Sequence, residues 1–171
     1  MNQTIEEKPN VIIELPPHLQ DFLYHEFGCD KKKEGVVISS ANDAGKYIQS
    51  MIAFSNSPKT SEIKEHPIKL YLPVQEWNHF LYKRNFLYVP VGKQKMIQDY
   101  LEASFHIRIR EYFIEGYSKG FKQEQLLQAF LNSYNIKQNA VSYDAVKKYD
   151  YRYRQKIRKE ISQEIQLADF L

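Results

Sequence analysis

Between Lys93 and Glu115 the chain contains neither glycine nor proline. So long a run without a breaker, rich in helix formers, has few folded options. "GKQKMIQDYLEASFHIRIREYFIEGYSKG" places Met96, Ile97, Tyr100, Leu101, Phe105, Ile109, Tyr112 and Phe113 on one broad helical stripe. "FHIRIR" (105–110) alternates as a strand does, but its flanks favour one long helix. Gly116 and Gly120 mark its expected end. The class expected is α+β, with an N-terminal α/β body over 10–104 and an all-helical region over 105–171. Residues 1–9 are polar and are expected to fray.

The N-terminal body shows a recurring pattern. "NVIIEL" (10–15) is a β-branched run that Pro16 and Pro17 end. "PPHLQDFLYHEF" then predicts a helix with Leu19, Phe22, Leu23 and Phe27 on one face and Gly28 at its end. "GVVISS" (35–40) is a second strand. "SANDAGKYIQSMIAF" predicts a helix capped by Ser40 or Asn42, with Tyr47, Ile48, Met51 and Ile52 as its stripe. Residues 55–67 have loop composition. "PIKLYLP" (67–73), "VQEWNHFLY", "FLYVPV" (86–91) and "GKQKMIQDYL" then repeat the order strand, helix, strand, helix. Leu15-Pro16 matches Leu72-Pro73, Phe22-Leu23-Tyr24 matches Phe80-Leu81-Tyr82, and Ile48-Gln49 matches Ile97-Gln98. An internal duplication of a β-α-β-α unit follows, with halves 10–54 and 67–104. Its four strands are expected to form one α/β sandwich.

Charge is distributed unevenly. The formal net charge is +3, yet residues 1–136 balance at 16 basic and 16 acidic. Residues 137–160 carry eight basic residues against three acidic, so the excess is local. It coincides with "KKYDYRYRQKIRK" (147–159). The tyrosines alternate with polar residues as in a strand, but only for six residues. At 100° per residue, Val146, Tyr149, Tyr153 and Ile157 share a narrow arc, and "QKIRKEISQEI" extends only that helical pattern. A helix is therefore expected, capped by Ser142 and with Asp144 in its first turn. Lys147, Tyr151, Arg154 and Arg158 fall together a quarter-turn from the apolar arc, and Lys148, Arg152 and Lys159 fall on the far side.

With the amphipathic "FKQEQLLQAFLNSYNI" (121–136) before it, this makes a helix-turn-helix-like pair, whose turn is longer than usual and lacks the customary glycine. Such a helix can dock its apolar wall and offer cations to phosphates. Lys147, Lys148, Arg152, Arg154 and Arg158 are the expected phosphate contacts, and Tyr151 can stack on a base. The plain alternative is a solvated basic face. An acidic protein, another subunit or an anionic membrane surface could also meet it.

Catalytic and cofactor signals are poor. Gly45-Lys46 and Gly92-Lys93 lack the earlier glycine and the Ser/Thr of a phosphate-binding loop. "YHEF" is a fragment of H-E-x-x-H with Cys29 where the second histidine belongs, and His18, His66, His79 and His106 are scattered. No cofactor, no metal site and no enzymatic activity are expected. The lone cysteine, a polar first ten residues and no long apolar run imply a cytoplasmic, non-membrane protein. The leading expectation is a nucleic-acid-binding accessory or regulatory protein, DNA being the first choice, whose body assembles as a homo-oligomer. The rival is a structural or interaction protein.

Overall fold

The computed structural model describes residues 8–59, 65–137 and 140–168. The expected fraying of residues 1–7, part of the 55–67 loop, the middle of the "KQNA" turn and the last three residues of the apolar tail lie outside that range. The chain divides into two compact units between Glu102 and Ala103. The fold is mixed α+β, with a helical C-terminal region.

In the first unit β1 (Asn10–Glu14) pairs antiparallel with β4 (Pro67–Tyr71). The ladder is symmetric about Ile12 and Lys69: Asn10 faces Tyr71 and Glu14 faces Pro67. Just beyond it the Leu15 N–H donates to His66 O at 3.1 Å, and the Leu72 N–H to Pro9 O at 2.8 Å. Each Leu-Pro pair of the sequence repeat thus closes the same end of its own strand. Val11, Ile13 and Leu15 are buried, as are their counterparts Ile68, Leu70 and Leu72.

The expected single four-stranded sandwich does not form: the strands divide between two sheets. β2 (Val36–Val37) adds to β4 in parallel, giving the order β1-β4-β2. Its counterpart β5 (Phe86–Tyr88) instead pairs antiparallel with β3 (Ala53–Ser55) in a separate two-stranded sheet. β3 was not expected. The helix predicted through Phe54 stops earlier, because residues 53–55 gain a ladder with β5 that a helix would forgo.

The helices differ in how they use their apolar residues. α1 (Pro17–Glu26) buries Leu19, Phe22 and Leu23. α2 (Asp43–Ser50) is capped by Asn42, whose Oδ1 accepts from the Gly45 N–H at 2.7 Å. A Cβ on Gly45 would stand 1.8 Å from Ser39 O. Glycine is therefore demanded there by backbone crowding, and no phosphate needs to be invoked for Gly45-Lys46. In α3 (Glu76–Arg84) the buried residue is Asn78, which accepts from the Gln75 N–H at 2.7 Å and donates to Pro73 O at 3.0 Å. Trp77 (67% exposed) and Phe80 (58%) face outward, with Arg84 lying 3.9 Å from the Phe80 ring centroid.

α4 (Val91–Ser118) is the long helix expected from the breaker-free run. Gly116 lies inside it, against Leu126, and does not end it. The stop falls at Gly120, whose φ of +82° suits glycine. Phe105, Ile109 and Phe113 of α4 form the core of the second unit with Leu126, Leu127, Phe130 and Leu131 of α5 (Gln123–Ser133). Phe130 is its aromatic centre, 5.8 Å from Phe105 and 4.5 Å from Tyr134 between ring centroids. α6 (Ala140–Ala168) completes the unit. It starts two residues before Ser142, since Ala140 and Val141 are already helical. Ser142 is thus not its cap, and Asp144 sits in the second turn. Among the described residues no helix is long and apolar enough to cross a membrane.

Candidate nucleic-acid interface

α6 is continuous through the tyrosine alternation, so Tyr149 and Tyr153 share one face and Tyr151 points away from it. Val146 (1% exposed) anchors the inner wall. Tyr149 stacks on His106 of α4 with centroids 4.0 Å apart and rings 10° from parallel. Arg110 lies 4.8 Å from the Tyr153 ring centroid. Ile157 is half-buried.

The inner wall also contains a polar node. Asp150 is 3% exposed and accepts from Tyr117 Oη at 2.8 Å, Gln123 Nε2 at 2.5 Å and Arg154 Nη2 at 3.1 Å. It thereby ties together α4, α5 and α6. Burial, helped by the adjacent Asp150 carboxylate, pushes the Tyr117 phenol up to about 12. The Arg154 guanidinium lies 5.3 Å from the Tyr117 ring centroid, and its Nε is buried without a hydrogen bond among the described residues. Of the six residues expected to meet a ligand, Arg154 is thus engaged on the inside.

Four of the others come together. Lys147, Lys148, Tyr151 and Arg152 line a concavity of about 460 Å³ with Asp144 and Gln123. Asp144, Lys147, Lys148, Tyr151 and Arg152 are spaced i, i+3, i+4, i+7 and i+8, which is one helix face. Lys147 and Tyr151 of one set thus line the same groove as Lys148 and Arg152 of the other. Tyr151 is 58% exposed. Arg158 lies two turns beyond Tyr151 on the same stripe, exposed and outside the groove.

Lys147 is partly committed: its Nζ lies 3.0 Å from Glu124 Oε1. Glu124 also accepts from the Tyr143 hydroxyl. Those two donors, the phenol first, hold the Glu124 carboxyl below its ordinary value, and the same bond holds the Lys147 ammonium above its own. Lys148, Arg152 and Arg158 take no ion pair among the described residues.

The sequence offers Asp144 only as a first-turn helix residue and does not single out Gln123. Asp144 could have been placed with the cations, since it stands three and four residues before Lys147 and Lys148. Gln123 belongs to another helix, and only tertiary packing brings it in. Elsewhere, Cys29 Sγ accepts from the Val37 N–H at 3.4 Å, and no group of three or more His, Cys, Asp or Glu among the described residues could hold a metal ion.

Comparison with protein families, with curated proteins and with solved structures finds no match for this chain.

Proposed function

We infer that this chain binds nucleic acid without catalysing a reaction on it, and that the outer face of α6 meets the phosphates. The observation that carries this is the groove: two cations with no ion pair among the described residues, a third partly neutralised one and an exposed tyrosine converge on one helix face. Clustered Lys and Arg gain affinity by releasing the counterions condensed on a polyanion. An exposed ring between them adds a stacking surface. DNA is the first ligand to try. Electrophoretic mobility at low salt should show a complex, and Lys148→Glu with Arg152→Glu should weaken it on all sequences alike. Failure of the wild type to retard any DNA at low salt would end the idea.

A protein contact through the same helix is the second reading. Ile161 and Ile165, one turn apart on α6, are exposed beyond the groove and offer an apolar strip to a partner. Sedimentation of the free chain should then show concentration-dependent association that Ile161→Lys abolishes, which also bears on a homo-oligomer.

A further inference from the structure

We propose that the groove on α6 receives an unpaired base, so that the ligand is single-stranded nucleic acid with guanine favoured. This rests on the nucleic-acid reading above and narrows it. The groove is concave, and most of its exposed lining is carbon, from the Tyr151 ring and the stems of its Lys, Arg and Gln side chains. A duplex hides its base faces and presents phosphates on a convex surface, so projecting cations suffice to hold it. An apolar trough adds nothing to such a contact. An unstacked base, in contrast, brings a flat face that gains from an aromatic platform. Tyr151 offers that platform at the groove, and about 460 Å³ lies within the roughly 300–1,000 Å³ usual for small-ligand sites.

The remaining residues assign the rest of the nucleotide. Lys147 is already matched by Glu124, so the phosphate falls to Lys148 and Arg152. Asp144 is the informative residue. A carboxylate repels a phosphate and has no place in a groove built for backbone alone, whereas it accepts hydrogen bonds from a base edge. Gln123 uses its Nε2 on Asp150, which leaves its Oε1 as an acceptor. Both polar groups therefore call for donors. Guanine presents two adjacent ones, N1–H and the exocyclic amine, on the edge that pairing would otherwise occupy.

Fluorescence anisotropy at low salt tests this with labelled oligonucleotides of about twelve nucleotides, within the usual site size. The probes are alternating guanine-thymine, all-thymine, and a duplex. The guanine-thymine strand should bind about tenfold tighter than the duplex, and tighter than all-thymine. Tyr151→Ala should cost about tenfold on single strands and little on duplex. Asp144→Ala should have opposite signs on the two single strands: weaker on guanine-thymine, tighter on all-thymine, because an acceptor and a negative charge are both removed. Circular dichroism should be unchanged in each variant, since both positions are exposed. Duplex binding as tight as single-strand binding, or single-strand affinity indifferent to Tyr151→Ala, overturns the proposal and leaves a duplex-binding protein. Equal loss on both strands with Asp144→Ala overturns the guanine preference. Absence of binding to all three probes overturns the nucleic-acid reading itself.

Discussion

Arg152 and Arg154 stand two residues apart on α6, and the helix sends them to opposite fates. The inner wall takes Arg154 beside Asp150, with Tyr117 beneath it and Gln123 completing the carboxylate's bonds. The outer face holds Arg152 next to Tyr151 in an open groove. Both sides use arginine, tyrosine and a carboxylate. What differs is the partner: the 3%-exposed Asp150 already holds Arg154, whose side chain is still 37% exposed. Inside, charge is neutralised in place and holds helices together. Outside, charge is left for something else to neutralise. Composition alone therefore does not mark a binding face; the partner already present decides.

The largest effect should come from breaking the inner side. Asp150→Ala leaves the Arg154 charge without its carboxylate and two donors without an acceptor. A loss of about 3 kcal/mol is expected, to be read by urea denaturation. A change below about 0.5 kcal/mol would mean that the node is no more structural than the outer face. The outer side should behave in the reverse manner. Lys148→Ala with Arg152→Ala should leave stability within about 0.5 kcal/mol while weakening nucleic-acid binding steeply.

Titration separates the two sides more gently. The Tyr117 phenol titrates near 12 when folded, against an ordinary 10.0. The native state therefore favours the protonated form. Its contribution to stability is present in full below about pH 10 and is lost as pH rises toward 12. Denaturation curves with pH should lose that alkaline slope in Tyr117→Phe and keep it in Tyr151→Phe. The smallest effect belongs to the rim. Glu124→Gln frees Lys147, and since both groups are exposed and screened by water its effect on stability should be too small to resolve by denaturation. Binding should tighten slightly, because one more cation becomes available to a phosphate.

Regular periodicity made much of this fold legible. The stripe Val146, Tyr149, Tyr153, Ile157 identifies α6 as a helix despite its tyrosine alternation, and the breaker-free run identifies α4. The repeated Leu-Pro pairs point to β1 and β4, although nothing in them says that these two strands pair with each other. β3 escaped because three residues carry no period, and its partner β5 lies more than thirty residues away. α3 is legible as a helix, but not which of its residues turns inward. Its Trp77 and Phe80 suggest a core face, yet Asn78 turns inward to close the helix start, and the rings turn out. Within the site, the spacing of Asp150 and Arg154 is visible in the sequence as an i,i+4 pair. That the pair is buried depends on Tyr117 and Gln123, which come from two other helices. The groove likewise needs Gln123 of α5, so its shape could not be drawn from α6 alone.

The most direct measurement is the salt dependence of binding to a short DNA strand for three proteins: wild type, Lys148→Ala with Arg152→Ala, and Arg154→Ala. The wild type should show affinity falling linearly with salt on logarithmic axes, and the outer double variant should lower that slope by about 1.5–2. Arg154→Ala should leave the slope unchanged, whatever it does to stability. Equal slopes in the wild type and the double variant, or a drop in slope for Arg154→Ala alone, would contradict the division between the two sides of α6.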